Sequence, residues 1–305
     1  MTSIRVDHQI TQCSFQGIKY SLSVLQPSMM KRTSIKDLHE RYDAGEKLTM
    51  LTAYDAPIAE QVDAGGVDMI LVGDSAADNH LGHETTLPLS MDEALSNTAA
   101  VDRAVSDAMV IGDMPFGSYG ASMEQSVTNA NRFMKEAGAD AVKLETAPHG
   151  ETTIEVIDRL TELGVPVMGH IGFTPQRMHQ IGGPFIQGRD HTSSAHVDSL
   201  VETAEALVDA GVFAVVLETV TEETGKIVTE AIDVPTIGIG AGRYVNGQVL
   251  VITDMLGLGG EAFKLSKQYA DLDSVIHDAV SEYVSDVEGG EFPARENVYD
   301  PIDTD

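Results

Sequence analysis

Five polar side chains each stand directly after a short apolar run of the chain. They are Asp74, Asp113, Glu145, His170 and Glu218. Runs such as 69–72 and 214–217 are apolar throughout, which is typical of strands buried on both faces of a parallel sheet. The carboxyl ends of parallel strands meet at one rim. The pattern therefore predicts an α/β protein, a (β/α)8 TIM barrel, with its functional site at the C-terminal face.

Three of these residues, Asp74, Asp113 and Glu145, follow consecutive strands and would bring three carboxylates to one rim. A divalent cation relieves the repulsion between such carboxylates. Oxygen ligands alone favour Mg²⁺, which keeps several waters and leaves positions for substrate oxygens. The alternative is that each carboxylate caps the helix that follows its strand, since Asp is a good N-cap residue. The spacing leaves both interpretations open.

Lys143 lies two residues before Glu145 and therefore on the same side of its strand. A lysine that points into a barrel is costly unless it meets an anion. Lys143 therefore either binds a substrate carboxylate or forms an internal ion pair with one of the acids. Glu218 has no lysine nearby in the sequence, so it is a candidate general base if it lies away from the metal.

Two further motifs have weaker functional interpretations. The segment Gly238-Ile239-Gly240-Ala241-Gly242 resembles a dinucleotide-binding loop. It lacks the sixth-position glycine and precedes a segment without helical character, so nucleotide binding is not favoured. His80, His83 and His170 match no zinc signature, and hydrogen-bonding roles are the better interpretation.

The apolar runs and glycine-terminated helices predict about eight strand–helix units in one domain. Strand 1 is predicted at 48–53 and strand 8 at about 249–253. A helix at 35–44, capped by Thr33 or Ser34, is expected to close the bottom of the barrel.

Side-chain spacing also predicts helix starts on the working face. Ser90 with Glu93, and Ser122 with Gln125, have the spacing of capping boxes. The loop 75–90 is long for a barrel and lies on the working face, so a functional role is expected.

The sequence divides into three segments. Residues 1–30 lack periodicity and are expected to form a disordered N-terminal extension. Residues 31–290 are expected to form the catalytic barrel. Residues 291–305 are acidic and are expected to be a mobile tail.

Composition excludes several classes of function. Asp and Glu number 48 against 19 Lys and Arg, which gives a net charge of −29. Such a chain would be repelled by nucleic acid, and the spread of its acids is typical of a halophilic protein. The single Cys13 excludes an intramolecular disulfide and a cysteine zinc site. No apolar run is long enough for a membrane span, and no secretory signal is recognisable, so a cytoplasmic location is expected.

Six blocks of the sequence, in order between about residues 32 and 293, resemble the ketopantoate (3-methyl-2-oxobutanoate) hydroxymethyltransferase family of the phosphoenolpyruvate/pyruvate superfamily. The blocks are Leu51-Thr52-Ala53-Tyr54-Asp55, Leu71-Val72-Gly73-Asp74-Ser75, Gly82-His83-Glu84-Thr85-Thr86-Leu87-Pro88, Gly112-Asp113-Met114-Pro115-Phe116, Gly169-His170-Ile171-Gly172-Phe173-Thr174-Pro175-Gln176 and Gly238-Ile239-Gly240-Ala241-Gly242. Glu84 stands where the family commonly has Asp, and residues 1–30 match nothing in it.

The resemblance implies roles for individual residues. Asp74, Asp113 and Glu145 match the family's magnesium-site acids, and Glu218 matches its proton acceptor. The positions that bind the keto acid correspond to Asp74, Ser75, Asp113 and Lys143, with His170 as an auxiliary candidate. The family's ring-built assemblies imply a homo-oligomer, for example a decamer.

The implied reaction is transfer of a hydroxymethyl group from 5,10-methylenetetrahydrofolate to 3-methyl-2-oxobutanoate (α-ketoisovalerate). Glu218 would remove the C3 proton of the keto acid, and Mg²⁺ would stabilise the negative charge. The product, 2-dehydropantoate (ketopantoate), leads to pantothenate and coenzyme A. The alternatives are a related barrel that cleaves a carbon–carbon bond, which would need a cysteine on a mobile loop, and a non-catalytic ligand-binding barrel. The sequence leaves open whether the one-carbon carrier is folate or another pterin.

Overall fold

The computed structural model of the protein describes residues 32–189, 194–259 and 264–299. The predictions for residues 1–30 and for the end of the acidic tail, 300–305, lie outside these ranges. The described part of the tail contains a 3₁₀ turn, Arg295–Asn297. Its mobility stays a prediction.

Eight parallel strands close into a barrel in sequence order, which confirms the predicted fold class. The strands are β1 Leu48–Thr52, β2 Met69–Val72, β3 Met109–Asp113, β4 Ala141–Glu145, β5 Val167–Gly172, β6 Ala214–Glu218, β7 Thr236–Ile239 and β8 Gly247–Leu250. The sheet closes where β1 pairs with β8, with Leu48 beside Gly247. Strands β2 to β5 are buried at every position, as expected for a parallel sheet covered by helices.

Helices connect the strands. They are α1 Ile35–Asp43, α2 Ala56–Ala64, α3 Ala76–Asn79, α4 Met91–Ala104, α5 Met123–Lys135, α6 Glu151–Glu162, α7 Met178–Ile181, α8 Ser194–Asp209, α9 Glu222–Ala231, α10 Ile252–Leu256 and α11 Leu272–Gly289. The capping box of Ser90 and Glu93 at α4 is confirmed. Ser122 caps α5 through the Gln125 N–H, but the Gln125 side chain donates to the Gly117 carbonyl instead of closing a box.

The predicted position of strand 8 was wrong at its end. The strand stops at Leu250, and α10 starts at Ile252. The Ile252 N–H donates to the Thr52 hydroxyl at 3.0 Å, so the chain is tied to the end of β1 and turns into a helix. The apolar residues that follow Leu250 therefore belong to a helix that their short pattern could not distinguish from a strand.

The N-terminal helix closes the bottom of the barrel, as predicted. Ser34 caps α1 and forms a capping box with Asp37. Leu38 is 1% exposed and packs in one cluster with the interior side chains Leu48 and Met50. Because the barrel interior is filled in this way at its lower end, the open space lies at the carboxyl ends of the strands.

No helix of the described residues is long and apolar enough to cross a membrane. The cytoplasmic location stays a prediction.

We predict that Leu38→Ala destabilises the protein by about 2–5 kcal/mol, because it leaves a cavity among packed apolar side chains. Denaturant unfolding measures this loss. Lys36→Ala on the same helix is the matched control. It removes only an exposed ion pair with Glu40 and should change stability by less than about 0.5 kcal/mol. Equal losses in the two variants would show that α1 does not plug the barrel.

Candidate active site

The polar residues at the strand ends line one cavity. It has a volume of about 510 Å³ and opens at the carboxyl ends of the strands. Its polar lining includes all seven residues singled out from the sequence, which are Asp74, Ser75, Asp113, Lys143, Glu145, His170 and Glu218. The structure therefore brings the sequence-predicted site residues together.

Lys143 and Asp113 form a buried ion pair. The Lys143 ammonium donates to both carboxylate oxygens of Asp113, at 2.7 and 2.8 Å, and the Asp74 backbone N–H donates to Asp113 Oδ2 at 3.0 Å. The two residues stand side by side in the register of β3 and β4. Of the two interpretations of Lys143, the structure shows the internal ion pair.

None of the three carboxylates caps a helix in the described hydrogen bonds. The Glu145 carboxylate accepts from the Gln176 backbone N–H, and Asp74 accepts from the Gln176 side chain. The helix after β3 is capped by Ser122, and the helix after β4 has Gly150 as its N-cap residue. The capping interpretation of the sequence was therefore wrong, and the three acids face the cavity instead.

His170 lies between two carboxylates. Its Nδ1 is 3.5 Å from Glu145 Oε1, and its Nε2 is 3.3 Å from Glu218 Oε2. Both ring nitrogens lack a hydrogen bond of good geometry within the described residues, so these are charge contacts. These contacts place His170 between Glu145 and Glu218. The Glu218 side chain is 20% exposed, and Glu218 is the most accessible acidic residue of this cluster.

Burial and neighbouring charges shift the protonation of the cluster. Burial raises the pKa of Asp113 to about 7, although the Lys143 charge opposes the shift. Burial and the Lys143 charge disfavour the imidazolium, but Glu145 and Glu218 outweigh them and raise the pKa of His170 to about 9. Burial also disfavours the charge on Lys143, but the surrounding carboxylates raise its pKa above its usual range. Two cations therefore lie among the carboxylates at neutral pH.

The backbone around Glu218 is tightly held. The Glu218 carbonyl accepts from the Phe173 N–H at 2.8 Å, and a Cβ at Gly172 would collide with that carbonyl. The next residue, Thr219, has φ of 50°, which is unusual for a β-branched side chain. Strain of this kind persists where the surroundings fix the chain, and here it fixes the direction in which Glu218 leaves β6.

Three hydrogen-bonding residues of the site were missed as functional residues in the sequence. Gln176, within the Gly169–Gln176 block, contacts both Asp74 and Glu145, and Tyr119 donates to the Gln176 amide oxygen at 2.9 Å. Tyr54 hydrogen-bonds Ser75 at 2.8 Å, and burial raises its pKa, so it remains a neutral partner. Gln176 and Tyr54 lie in motif blocks of the sequence, which was their only signal, and Tyr119 lies in none, because contacts across strands depend on the fold.

The other sequence motifs take structural roles. His80 packs against Tyr54 with ring centroids 6.0 Å apart, and His83 is exposed. Gly242 has φ of 80°, and a Cβ there would collide with Glu222, so this glycine serves close backbone packing. Nothing in this arrangement supports a dinucleotide loop.

A divalent cation is compatible with the cavity. Glu145 Oε1 is buried and has no hydrogen-bond partner among the described residues. Its charge contact with His170 Nδ1, at 3.5 Å, leaves its hydrogen-bonding capacity unused. Within the described ranges, no three His, Cys, Asp or Glu side chains converge as a preformed metal site. A cation here would therefore take part of its coordination from water and substrate oxygens, as Mg²⁺ commonly does.

Comparison with known proteins finds a match to one family by sequence. The family model described as ketopantoate hydroxymethyltransferase matches residues 32–295. The chain is 51% identical to the 3-methyl-2-oxobutanoate hydroxymethyltransferase of Halobacterium salinarum over 260 residues, which cover 85% of this chain and 93% of that protein. It is 47% identical to the enzyme of that name from Haloarcula marismortui over 261 residues, 85% and 94% of the two chains. These two relatives agree with the halophilic character predicted from the charge.

Solved structures share the fold at low sequence identity. Phosphonopyruvate hydrolase superposes with a TM-score of 0.56 at 13% identity, covering 88% of this chain and 92% of that one. Oxaloacetate acetylhydrolase superposes with a TM-score of 0.55 at 12% identity, covering 88% and 91%. At these identities the similarities show a shared barrel fold and nothing beyond it.

We predict that the melting temperature of the metal-free protein falls as the pH rises from about 4 to 9. The folded protein holds protons on Asp113 up to about pH 7 and on His170 up to about pH 9. Both values exceed those of the unfolded chain, about 3.9 and 6.5, so the unfolded state binds fewer protons in these windows and stability declines with pH. Thermal melts in EDTA at constant salt measure the profile.

His170→Gln separates the two contributions. It should flatten the decline between about pH 6.5 and 9 and leave the part below pH 6.5 in place. A wild-type profile that rises across the upper window would contradict a charged His170.

Proposed function

The chain belongs to the ketopantoate hydroxymethyltransferase family, and from this premise we propose that it transfers a hydroxymethyl group from 5,10-methylenetetrahydrofolate to 3-methyl-2-oxobutanoate. The chain is thus a hydroxymethyltransferase, and the product would be 2-dehydropantoate, the precursor of pantothenate and coenzyme A. The observation that carries the proposal is the buried cluster of Asp74, Asp113, Lys143 and Glu145 beside the more accessible Glu218 in one cavity.

Asp74, Asp113 and Glu145 would hold Mg²⁺. Asp74 and Glu145 each give one oxygen to Gln176, and Glu145 Oε1 lacks any hydrogen bond in the described residues. Asp113 is engaged by Lys143 through both oxygens, so its share in binding the cation requires that Lys143 moves or that one oxygen serves both. When bound, Mg²⁺ would supply positive charge at the keto and carboxylate oxygens of the substrate.

Lys143, Ser75 and Asp113 would bind the keto acid. The Lys143 ammonium is 4% exposed and is kept charged by the surrounding acids, so it can balance a substrate carboxylate that enters the cavity. The Ser75 hydroxyl, oriented by Tyr54, offers a neutral hydrogen bond. These groups fix which end of the 2-oxo acid faces inward.

Glu218 would act as the general base. Its carboxylate leaves the end of β6, away from the β2–β4 acids, and contacts only the charged His170 among the described ion pairs. A carboxylate that binds no metal ion and contacts His170 through one oxygen would keep its other oxygen free for the C3 proton of the keto acid. The C3 carbon that loses this proton would form a bond to the methylene carbon of the carrier, whose bonds to the carrier nitrogens break. Water would supply the hydroxyl group of the product, and the C3 proton and the remaining water proton would end on the carrier nitrogens. His170 would hold Glu218 in position.

The carbon–carbon lyase alternative finds no support in this chain. Its only cysteine, Cys13, lies before the matched residues 32–295 and outside the described ranges. The identity of the carrier as folate, rather than another pterin, remains part of the proposal.

The cavity chemistry is tested by proton exchange in heavy water with 3-methyl-2-oxobutanoate and Mg²⁺, without the carrier. Wild type should exchange the C3 proton, and Glu218→Gln should bind the keto acid but exchange it at least about 100-fold more slowly, because a positioned base typically contributes this much. NMR of the keto acid follows the reaction. Exchange at the wild-type rate in Glu218→Gln would assign the proton transfer to His170 instead.

We also propose a homo-oligomer in which α11 packs on a second copy of the chain. None of the side chains of α11 is buried within the described residues. Its apolar positions Ile276, Val280, Tyr283 and Val287 are 46–57% exposed and recur at spacings of four and three residues, which places them on one face. A stripe of this kind on a soluble protein marks an interface.

The barrel has a surface that such a helix could cover. The outward positions Thr49 of β1 and Gln248 of β8 are exposed, whereas β2 to β5 are covered throughout. In a (β/α)8 barrel a helix normally covers the outside of each pair of neighbouring strands. Contact between copies at α11 would bury the apolar face of this helix and cover the exposed outer side of β1 and β8. A ring-built decamer is one assembly that satisfies this proposal.

Light scattering on the full chain tests the assembly. Val280→Asp places a charge at the centre of the apolar face and should reduce the molar mass in solution to that of smaller species. Ser285→Asp adds the same charge on the opposite side of α11 and should leave the mass unchanged. An unchanged mass for both variants would exclude this helix from the interface.

A further inference from the structure

Gln176 lies between two of the carboxylates that would hold the cation. It is 5% exposed and sits in the 3₁₀ turn Pro175–Arg177, which follows β5. Its side-chain Nε2 donates to Asp74 Oδ2 at 2.9 Å, and its backbone N–H donates to Glu145 Oε2 at 3.0 Å. One residue from the β5 loop thus contacts acids that leave β2 and β4.

The orientation of the Gln176 amide is fixed by its other partners. Tyr119 donates its hydroxyl proton to Gln176 Oε1 at 2.9 Å, and the Met114 carbonyl accepts from Nε2 at 3.0 Å. An amide oxygen only accepts and an amide nitrogen only donates, so these contacts direct the donor end at Asp74. Tyr119 in turn accepts from the Glu145 backbone N–H at 3.1 Å, which ties the network back to β4.

Gln176 and Lys143 contact the carboxylates of the site in different ways. Lys143 occupies both oxygens of Asp113 and brings a full positive charge. Gln176 occupies one oxygen of Asp74 and one of Glu145 and brings no charge. The remaining oxygen of Glu145, Oε1, is buried and without a hydrogen bond in the described residues. A neutral donor orients a carboxylate while leaving its negative charge for a cation.

We propose that Gln176 is a positioning residue of the cation site, which holds Asp74 and Glu145 so that one oxygen of each remains free to bind Mg²⁺. This inference rests on the proposed function, because it assumes that Mg²⁺ binds between these acids. Gln176 itself would touch neither cation nor substrate. It acts by directing carboxylate oxygens that would otherwise turn away from each other through repulsion.

Gln176→Met tests the inference, since methionine has a similar length and no side-chain amide. The variant loses the contact with Asp74 and keeps the backbone N–H contact with Glu145. Mg²⁺ binding is measured by calorimetry in the presence of 3-methyl-2-oxobutanoate, and C3 proton exchange is followed as a function of Mg²⁺ concentration. The variant should bind Mg²⁺ at least about 10-fold more weakly, as is typical when an outer partner of a metal ligand is lost. Excess Mg²⁺ should restore most of the exchange rate.

Gln180→Met is the matched control. Gln180 lies four residues further along, is exposed, and its amide oxygen accepts from Arg177. Its Mg²⁺ affinity should equal that of wild type. A purely structural role for Gln176 would lower the melting temperature without a response of the exchange rate to added Mg²⁺, and that result would overturn the inference.

Tyr119→Phe provides a second variant if Gln176→Met does not fold. It removes the hydroxyl that orients the amide and keeps the ring, so Mg²⁺ affinity should fall in the same direction by a smaller factor. Wild-type Mg²⁺ affinity in both variants, with wild-type exchange that depends on Mg²⁺, overturns this inference alone. Wild-type exchange that is independent of Mg²⁺ overturns the proposed function instead.

Discussion

The barrel brings four carboxylates together in one buried cluster. Their mutual repulsion determines which other charged groups the site must contain. Asp74, Asp113, Glu145 and Glu218 face only two cationic side chains, Lys143 and His170, in the described cluster. When all four acids are ionised, two negative charges remain uncompensated, which is the charge of one divalent cation. Burial increases the free energy of the uncompensated negative charge. It therefore raises the pKa values of Asp113 and Glu145, because a bound proton removes one negative charge. Binding of protons and binding of a metal ion would each reduce the excess negative charge of the cluster, so the two would compete.

Strand register distributes the charges. Asp113 stands beside Lys143 in the pairing of β3 with β4, and Glu145 stands beside His170 in the pairing of β4 with β5. Each acid thus meets a cation from the neighbouring strand, while Lys143 and Glu145 share one side of β4 because side chains alternate along a strand. A shift of one residue in either pairing would point these charged side chains outward, toward the apolar layer between the barrel and its helices. The ion pairs and the register consequently stabilise each other.

The sequence predicted what depends on local pattern and missed what depends on contacts between distant segments. The apolar runs predicted the strands, and the polar residues after them shared a rim because parallel strands all point one way. The capping box at Ser90 is likewise local. The role of Gln176 could not be predicted, since its partners lie 31 and 102 residues away in the chain. The early end of strand 8 was missed because a hydrogen bond to Thr52, 200 residues away, ends it.

The acidic surface bears on this site through its long-range field. A net charge of −29 attracts cations and repels an anionic keto acid, so the field would favour filling the proposed metal site and oppose substrate entry. Salt changes this balance, because the screening length shrinks to about 3 Å at 1 M and removes most of the repulsion from exposed acids. Contacts inside the cavity, such as the 2.7 Å contact between Lys143 and Asp113, are shorter than that length and are buried. An acidic chain of this composition can therefore lose its unfavourable field in salt, while the buried charges that would select cation and substrate keep their strength.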